Sequence, residues 1–183
     1  MNNLLKYITN IFFQIAKMIL AITVVLALGN AAFAQIKEKS YYELQAEVVY
    51  NFISHVSWIN SENDGKKLCV MEDNPVIPYL NTILRNKNDN IVLIRKNEND
   101  YLDECRILFI SDNYDGYLRR LLFKVKGKQI LTFGSLKNFA ESGGIVQFTL
   151  RNNRVEFMIN TKEMKSSGLR ISDSILAVSD TIN

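Results

Sequence analysis

Histidine occurs once in this sequence, at position 55, and cysteine only twice, at 69 and 105. A lone imidazole gives a Ser-His-Asp or Cys-His system one place to be built, and His55 falls on a helical stretch far in sequence from both cysteines. Without an activating base a nucleophile stays weak, so the chain is read as non-enzymatic, with no catalytic residue. The cysteines have neither CxxC spacing nor a second ligand pair for zinc. A thiol redox protein using Cys69 and Cys105 is the enzymatic alternative, disfavoured because no base accompanies either sulfur. The motifs GxxxxGK[ST], GxGxxG and HExxH are missing as well, so no cofactor and no metal is expected. Charge lacks a dominant sign, with 22 Lys and Arg against 19 Asp and Glu. That balance argues against nucleic acid as a partner.

Acidic residues are absent from positions 1–34. There, Lys6 and Lys17 precede an apolar stretch from Met18 to Leu28 that only Thr23 interrupts, and Ala32-Phe33-Ala34 follows as a small-x-small cleavage signal. The apolar part is short of the roughly 20 residues that span a bilayer. The expectation is a signal peptide over 1–34, cleaved after Ala34, and a single α/β domain over 35–183 delivered to the periplasm.

Within 35–183, apolar residues recur at helical spacing from Tyr42 to Trp58, and a turn is expected from Asn60 to Lys66. Four continuous apolar runs follow: Leu68–Met71, Ile91–Ile94, Ile107–Ile110 and Ile130–Phe133. Continuity, in place of alternation, predicts strands covered on both faces. Helices are expected between them, over Pro75–Leu84 and Asp115–Val125, the latter stopped by Gly127, and Lys96–Asp100 is expected to be a connecting loop. After Gly143-Gly144 the pattern becomes alternating. A two-residue turn at Asn152-Asn153 sets Leu150 opposite Val155, Phe148 opposite Phe157 and Val146 opposite Ile159, which makes one hairpin face wholly apolar. Asn160 and Glu163 resemble a capping box for a short helix ended by Gly168, and Ser172 opens a last helix carrying Ile175, Leu176 and Val178. The predicted fold is a three-layer α/β protein: a mostly parallel twisted sheet flanked by helices, with a C-terminal antiparallel hairpin.

Two paired features bear on function. A doubly wound strand order places the strand from Leu68 beside the strand from Ile107, so a Cys69–Cys105 disulfide is expected in an exported chain, with two buried thiols as the alternative. The exposed edge of the first helix around Tyr50, Asn51 and Trp58 is the candidate contact with a partner, since aromatic side chains anchor interfaces. Asp103-Glu104 and the pair Asp112 and Asp115 offer acid-base chemistry or a cation site as one reading, but they fall at turns and helix starts, where the helix dipole alone accounts for acids. Gly143-Gly144 is read as a helix stop feeding a strand, in preference to a phosphate loop.

Six segments in order resemble the YfiR-like family of periplasmic proteins. They are Tyr50-Asn51-Phe52 leading to Trp58, Cys105 to Ile110, Gly127 to Thr132, Phe139-Ala140 with Gly143-Gly144-Ile145, Asn153 to Asn160, and Ser167 to Ser172. The resemblance covers about residues 42 to 179. It implies a periplasmic regulator that restrains a membrane-bound diguanylate cyclase, lowering cyclic di-GMP and biofilm formation. The implied partners are the periplasmic part of an inner-membrane signalling protein, an outer-membrane lipoprotein that sequesters the regulator, and a second copy in a homodimer. The alternative is a periplasmic adaptor for a sensor kinase or an outer-membrane transporter.

Overall fold

The computed structural model describes Lys17 and residues 39–58, 66–87, 90–151 and 154–182. The cleavage signal at Ala34, most of the turn expected from Asn60, and the Asn152-Asn153 turn lie outside the described residues.

Helix α1 (Tyr41–His55) begins where the Ser40 hydroxyl accepts a hydrogen bond from the Glu43 N–H at 3.2 Å, satisfying one of the donors a helix start leaves open. Its buried residues, Gln45, Ala46, Val49, Phe52 and Ile53, form the expected stripe. The helix ends three residues earlier than its periodicity suggests. Val56 turns extended, and Val56–Trp58 becomes strand β1, antiparallel to β8 (Leu169–Ile171) with Trp58 opposite Leu169. Trp58 is therefore a strand residue, not a helix residue. The ladder that captures it comes from the far end of the chain, which no local pattern reveals.

Seven strands form the main sheet: β2 (Lys66–Met71), β3 (Ile91–Lys96), β4 (Ile107–Ile110), β5 (Leu131–Gly134), β6 (Val146–Arg151), β7 (Arg154–Asn160) and β9 (Asp180–Ile182). Their order is β3-β2-β4-β5-β6-β7-β9, and every pair is parallel except β6 with β7. Alternate strand residues face opposite layers. Leu68, Val70, Ile107, Phe109, Leu131 and Phe133 meet α1 and α2 (Ile77–Lys87), while Cys69, Met71, Leu108 and Ile110 meet α3 (Leu118–Val125) and Phe139. These are the three layers expected. Strand β3 is the exception to cover on both faces: it is the sheet edge, and Val92 is exposed.

The hairpin has the predicted register, with Leu150 opposite Val155, Phe148 opposite Phe157 and Val146 opposite Ile159. Its apolar face gives out toward the tip, where Leu150 is exposed. The Asn160 side chain accepts from the Glu163 N–H at 2.9 Å and opens α4 (Thr161–Ser166), as the capping pattern predicts. Three local readings shift. Residues Asp112–Tyr117 form a 3₁₀ turn, so α3 starts at Leu118 and not at Asp115; the break at Tyr114 lets that ring sink into the core. Lys96 ends β3 and is buried, so it is no part of the loop after it. The last helix, α5 (Asp173–Leu176), stops short of Val178, which is exposed ahead of β9.

Gly144 and Gly134 enclose Phe139, a fully buried ring. A Cβ on Gly144 would lie 2.1 Å from a ring carbon and one on Gly134 would lie 2.5 Å away. Gly143, at φ 103°, makes the turn into β6. The glycine pair thus serves packing and chain reversal. Gly144→Ala is expected to destabilise the fold by about 1–3 kcal/mol through overpacking. Equilibrium urea denaturation measures it, and an unchanged midpoint would show that Phe139 yields freely.

Candidate functional site

His55 and the two cysteines are engaged in local structure. His55 is exposed; its Nδ1 lies 2.8 Å from the Asn51 carbonyl oxygen and 3.1 Å from the Ser54 hydroxyl. Among the described residues no carboxylate bonds to this ring, and no group of three His, Cys, Asp or Glu is arranged to hold a metal. Cys69 on β2 and Cys105, two residues before β4, are joined by a disulfide with their Cα atoms 5.7 Å apart. The parallel register that sets Cys69 beside Leu108 brings them together.

Around this bridge lies an ion-pair clamp. Asp103 pairs with Lys128, and Glu104 accepts from Lys96 at 2.5 Å and from Lys67 at 2.9 Å. Hydrogen bonds from Lys96 first, and Lys67 second, hold the Glu104 carboxyl well below the usual range, at about 2. A carboxyl depressed in the folded state stabilises fully above its unfolded value of about 4.5 and loses that contribution as pH falls toward about 2. Glu104→Gln should therefore be less stable than the parent at pH 7, with the gap closing between about pH 4.5 and pH 2. Urea denaturation across that range checks it; a gap independent of pH would contradict the clamp.

The predicted contact residues gather at the amino-terminal edge of the parallel strands. Tyr50, half-buried on α1, has the Lys87 ammonium 5.8 Å from its ring centroid. Trp58, also half-buried, has the Lys66 ammonium 5.1 Å from its ring, and Lys66 donates to the Ile53 carbonyl at 3.2 Å. Asn51 is exposed on the same end of α1. The Trp58 indole N–H is buried and has no hydrogen-bond partner among the described residues. The result is two aromatic rings each set against a cation. Lys66 and Lys87 were not legible as members of this face. Lys66 arrives on β2 and Lys87 at the end of α2, and only the sheet brings those points together.

No helix among the described residues is long and apolar enough to cross a membrane. A family model described as YfiR/HmsC-like matches residues 42–180, from the first turn of α1 into β9. Among solved structures, the crystal structure of a conserved domain protein from Vibrio cholerae O1 biovar El Tor strain N16961 is similar, with a TM-score of 0.59 at 11% identity. The alignment covers 80% of this chain and 61% of that one, so the present chain corresponds to about three fifths of its neighbour's length. At that identity the likeness concerns the fold. A search of curated proteins found no match.

Proposed function

Since the chain belongs to the YfiR/HmsC-like family, we propose that it is a non-catalytic periplasmic regulator that binds the periplasmic part of a membrane-bound diguanylate cyclase and holds the enzyme inactive. The match over residues 42–180 carries this reading, because it takes in nearly all of the folded unit and not one motif within it. Export with cleavage after Ala34 delivers the domain 35–183 to the compartment where such a partner is exposed. Restraint by binding needs no active site. A protein that binds the inactive conformation more tightly shifts the enzyme's equilibrium by the difference in binding free energy.

The contact face in this reading is the edge carrying Tyr50, Asn51 and Trp58, with Lys66 and Lys87 against the rings. Trp58 is the aromatic anchor of that face. Truncation of such an anchor typically costs 2 kcal/mol or more, so Trp58→Ala should weaken partner binding about thirtyfold. The test is a photocrosslinking residue at Asn51, an exposed position, in living cells. An adduct with an inner-membrane protein bearing a diguanylate cyclase domain, lost in the Trp58→Ala background, is expected. An adduct with a sensor kinase or an outer-membrane transporter would replace the proposal with the adaptor reading.

A further inference from the structure

At the opposite, carboxyl-terminal edge of the parallel strands the molecule has a crevice of about 230 Å³. Its origin is topological. Neighbouring strands β2 and β4 send their chains in opposite directions, β2 through α2 to β3 and β4 through the 3₁₀ turn and α3 to β5. Because α2 packs on one face of the sheet and α3 on the other, the two connections part and leave a gap between them. Open α/β sheets take their ligands at this switch point.

The residues that line the gap define what it accepts. Asn74 is 5% exposed, and its side-chain oxygen accepts from the Val76 N–H at 2.9 Å, which fixes the orientation of the amide. The other end of that amide, Nδ2, is buried and has no hydrogen-bond partner among the described residues. A buried donor of this kind calls for an acceptor. Beside it Asp73 turns the chain at a left-handed φ of 61°, which Asp adopts more readily than most residues. Asp73 and Asp112 place two exposed carboxylates there, while among the described residues no Lys, Arg or His lines the crevice. Partial burial pushes the Asp112 carboxyl above its usual range, although the residue keeps an exposed surface. Tyr42, Pro75 and Phe109 supply apolar wall.

We propose that this crevice binds a small organic cation bearing an acceptor oxygen, its ammonium against Asp73 and Asp112 and its oxygen on the Asn74 amide. Two acids without a base exclude an anion. The volume lies below the roughly 300–1,000 Å³ usual for drug-sized ligands, which limits the occupant to a small amine. The site is independent of the regulatory reading, since the aromatic face lies at the other end of α1.

The experiment titrates ethanolamine and choline into protein purified from the periplasm, with succinate and isobutanol as controls, and follows amide shifts by nitrogen-15 NMR. Saturable shifts are expected for the Asn74 side chain and for residues 73–75 and 111–113 with at least one amine, and none with either control. The double variant Asp73→Asn and Asp112→Asn, which keeps both side-chain shapes, should weaken that binding at least about tenfold without moving the unfolding midpoint. Absence of saturable shifts with both amines, an equal response to succinate or isobutanol, or amine binding within about threefold of the parent in the double variant would each overturn the proposal.

Discussion

Replacing Phe133 with alanine is expected to destabilise the fold by about 3–5 kcal/mol, the range for removing a buried aromatic ring. Phe133 is fully buried in β5 at the centre of the larger core layer. Its ring lies 5.3 Å from Phe52 of α1 in an edge-on contact, 5.6 Å from Phe148 of β6 and 6.4 Å from Phe109 of β4, both nearly parallel to it. Three elements therefore lose a shared partner when the ring goes, and the neighbours are too constrained by their strands to refill the space. Phe133→Leu retains most of the volume and should recover about half of the loss. Chemical denaturation of both variants gives the measurement. A loss below about 1 kcal/mol for the alanine variant would mean that the layer repacks and that the aromatic cluster is not the keystone of the fold.

Loss of the disulfide is expected to cost about 3–4 kcal/mol, from the entropy restored to an unfolded chain once a loop of this length is opened. The sequence separation between Cys69 and Cys105 is 36 residues, and both sulfurs are buried beneath α3. The bridge ties β2 to the segment entering β4, so it also fixes the paired strands whose diverging connections form the crevice. The double variant Cys69→Ala and Cys105→Ala should show the loss in equilibrium urea denaturation. Protein taken from the periplasm and unfolded without reductant should react with no thiol reagent; two reactive thiols would remove the bridge from the account.

The layers of this fold were readable because its strands advertise themselves. Leu68–Met71, Ile107–Ile110 and Ile130–Phe133 are apolar runs broken only by Thr132, as strands covered from both sides must be; β4 spans the second run unshifted, and β2 and β5 differ from theirs by one or two residues at an end. The hairpin was readable to the level of individual pairs, since a slip of one residue would have turned Phe148 and Phe157 toward water. What stayed hidden depends on contacts distant in sequence. β1 and β8 are three residues each and form a two-stranded sheet of their own, so Trp58 looked like the end of a helix until Leu169 was placed beside it. β9 is Asp-Thr-Ile, without an apolar pattern, and exists because β7 offers it a parallel edge.

The two surfaces divide in the same way. Tyr50, Asn51 and Trp58 stand out in sequence as the edge of the first helix that carries aromatic side chains, although Trp58 belongs to β1. The lysines over their rings come from other elements and carry no signal in sequence. The crevice carries no joint signal in sequence. Asp112 stands out only as an acid at a helix start, and the meeting of Asp73, Asn74 and Asp112 arises from the reversal of strand order between β2 and β4.

The proposed restraint of cyclic di-GMP synthesis from the periplasm is tested most directly by intracellular cyclic di-GMP in a deletion strain complemented in three ways. Deletion should raise the nucleotide and surface attachment together. The full chain should restore both, whereas a chain beginning at Gln35 and confined to the cytoplasm, or the exported Trp58→Ala variant, should leave them high. Cyclic di-GMP unchanged by deletion, or restored equally well by the cytoplasmic chain, would contradict the account.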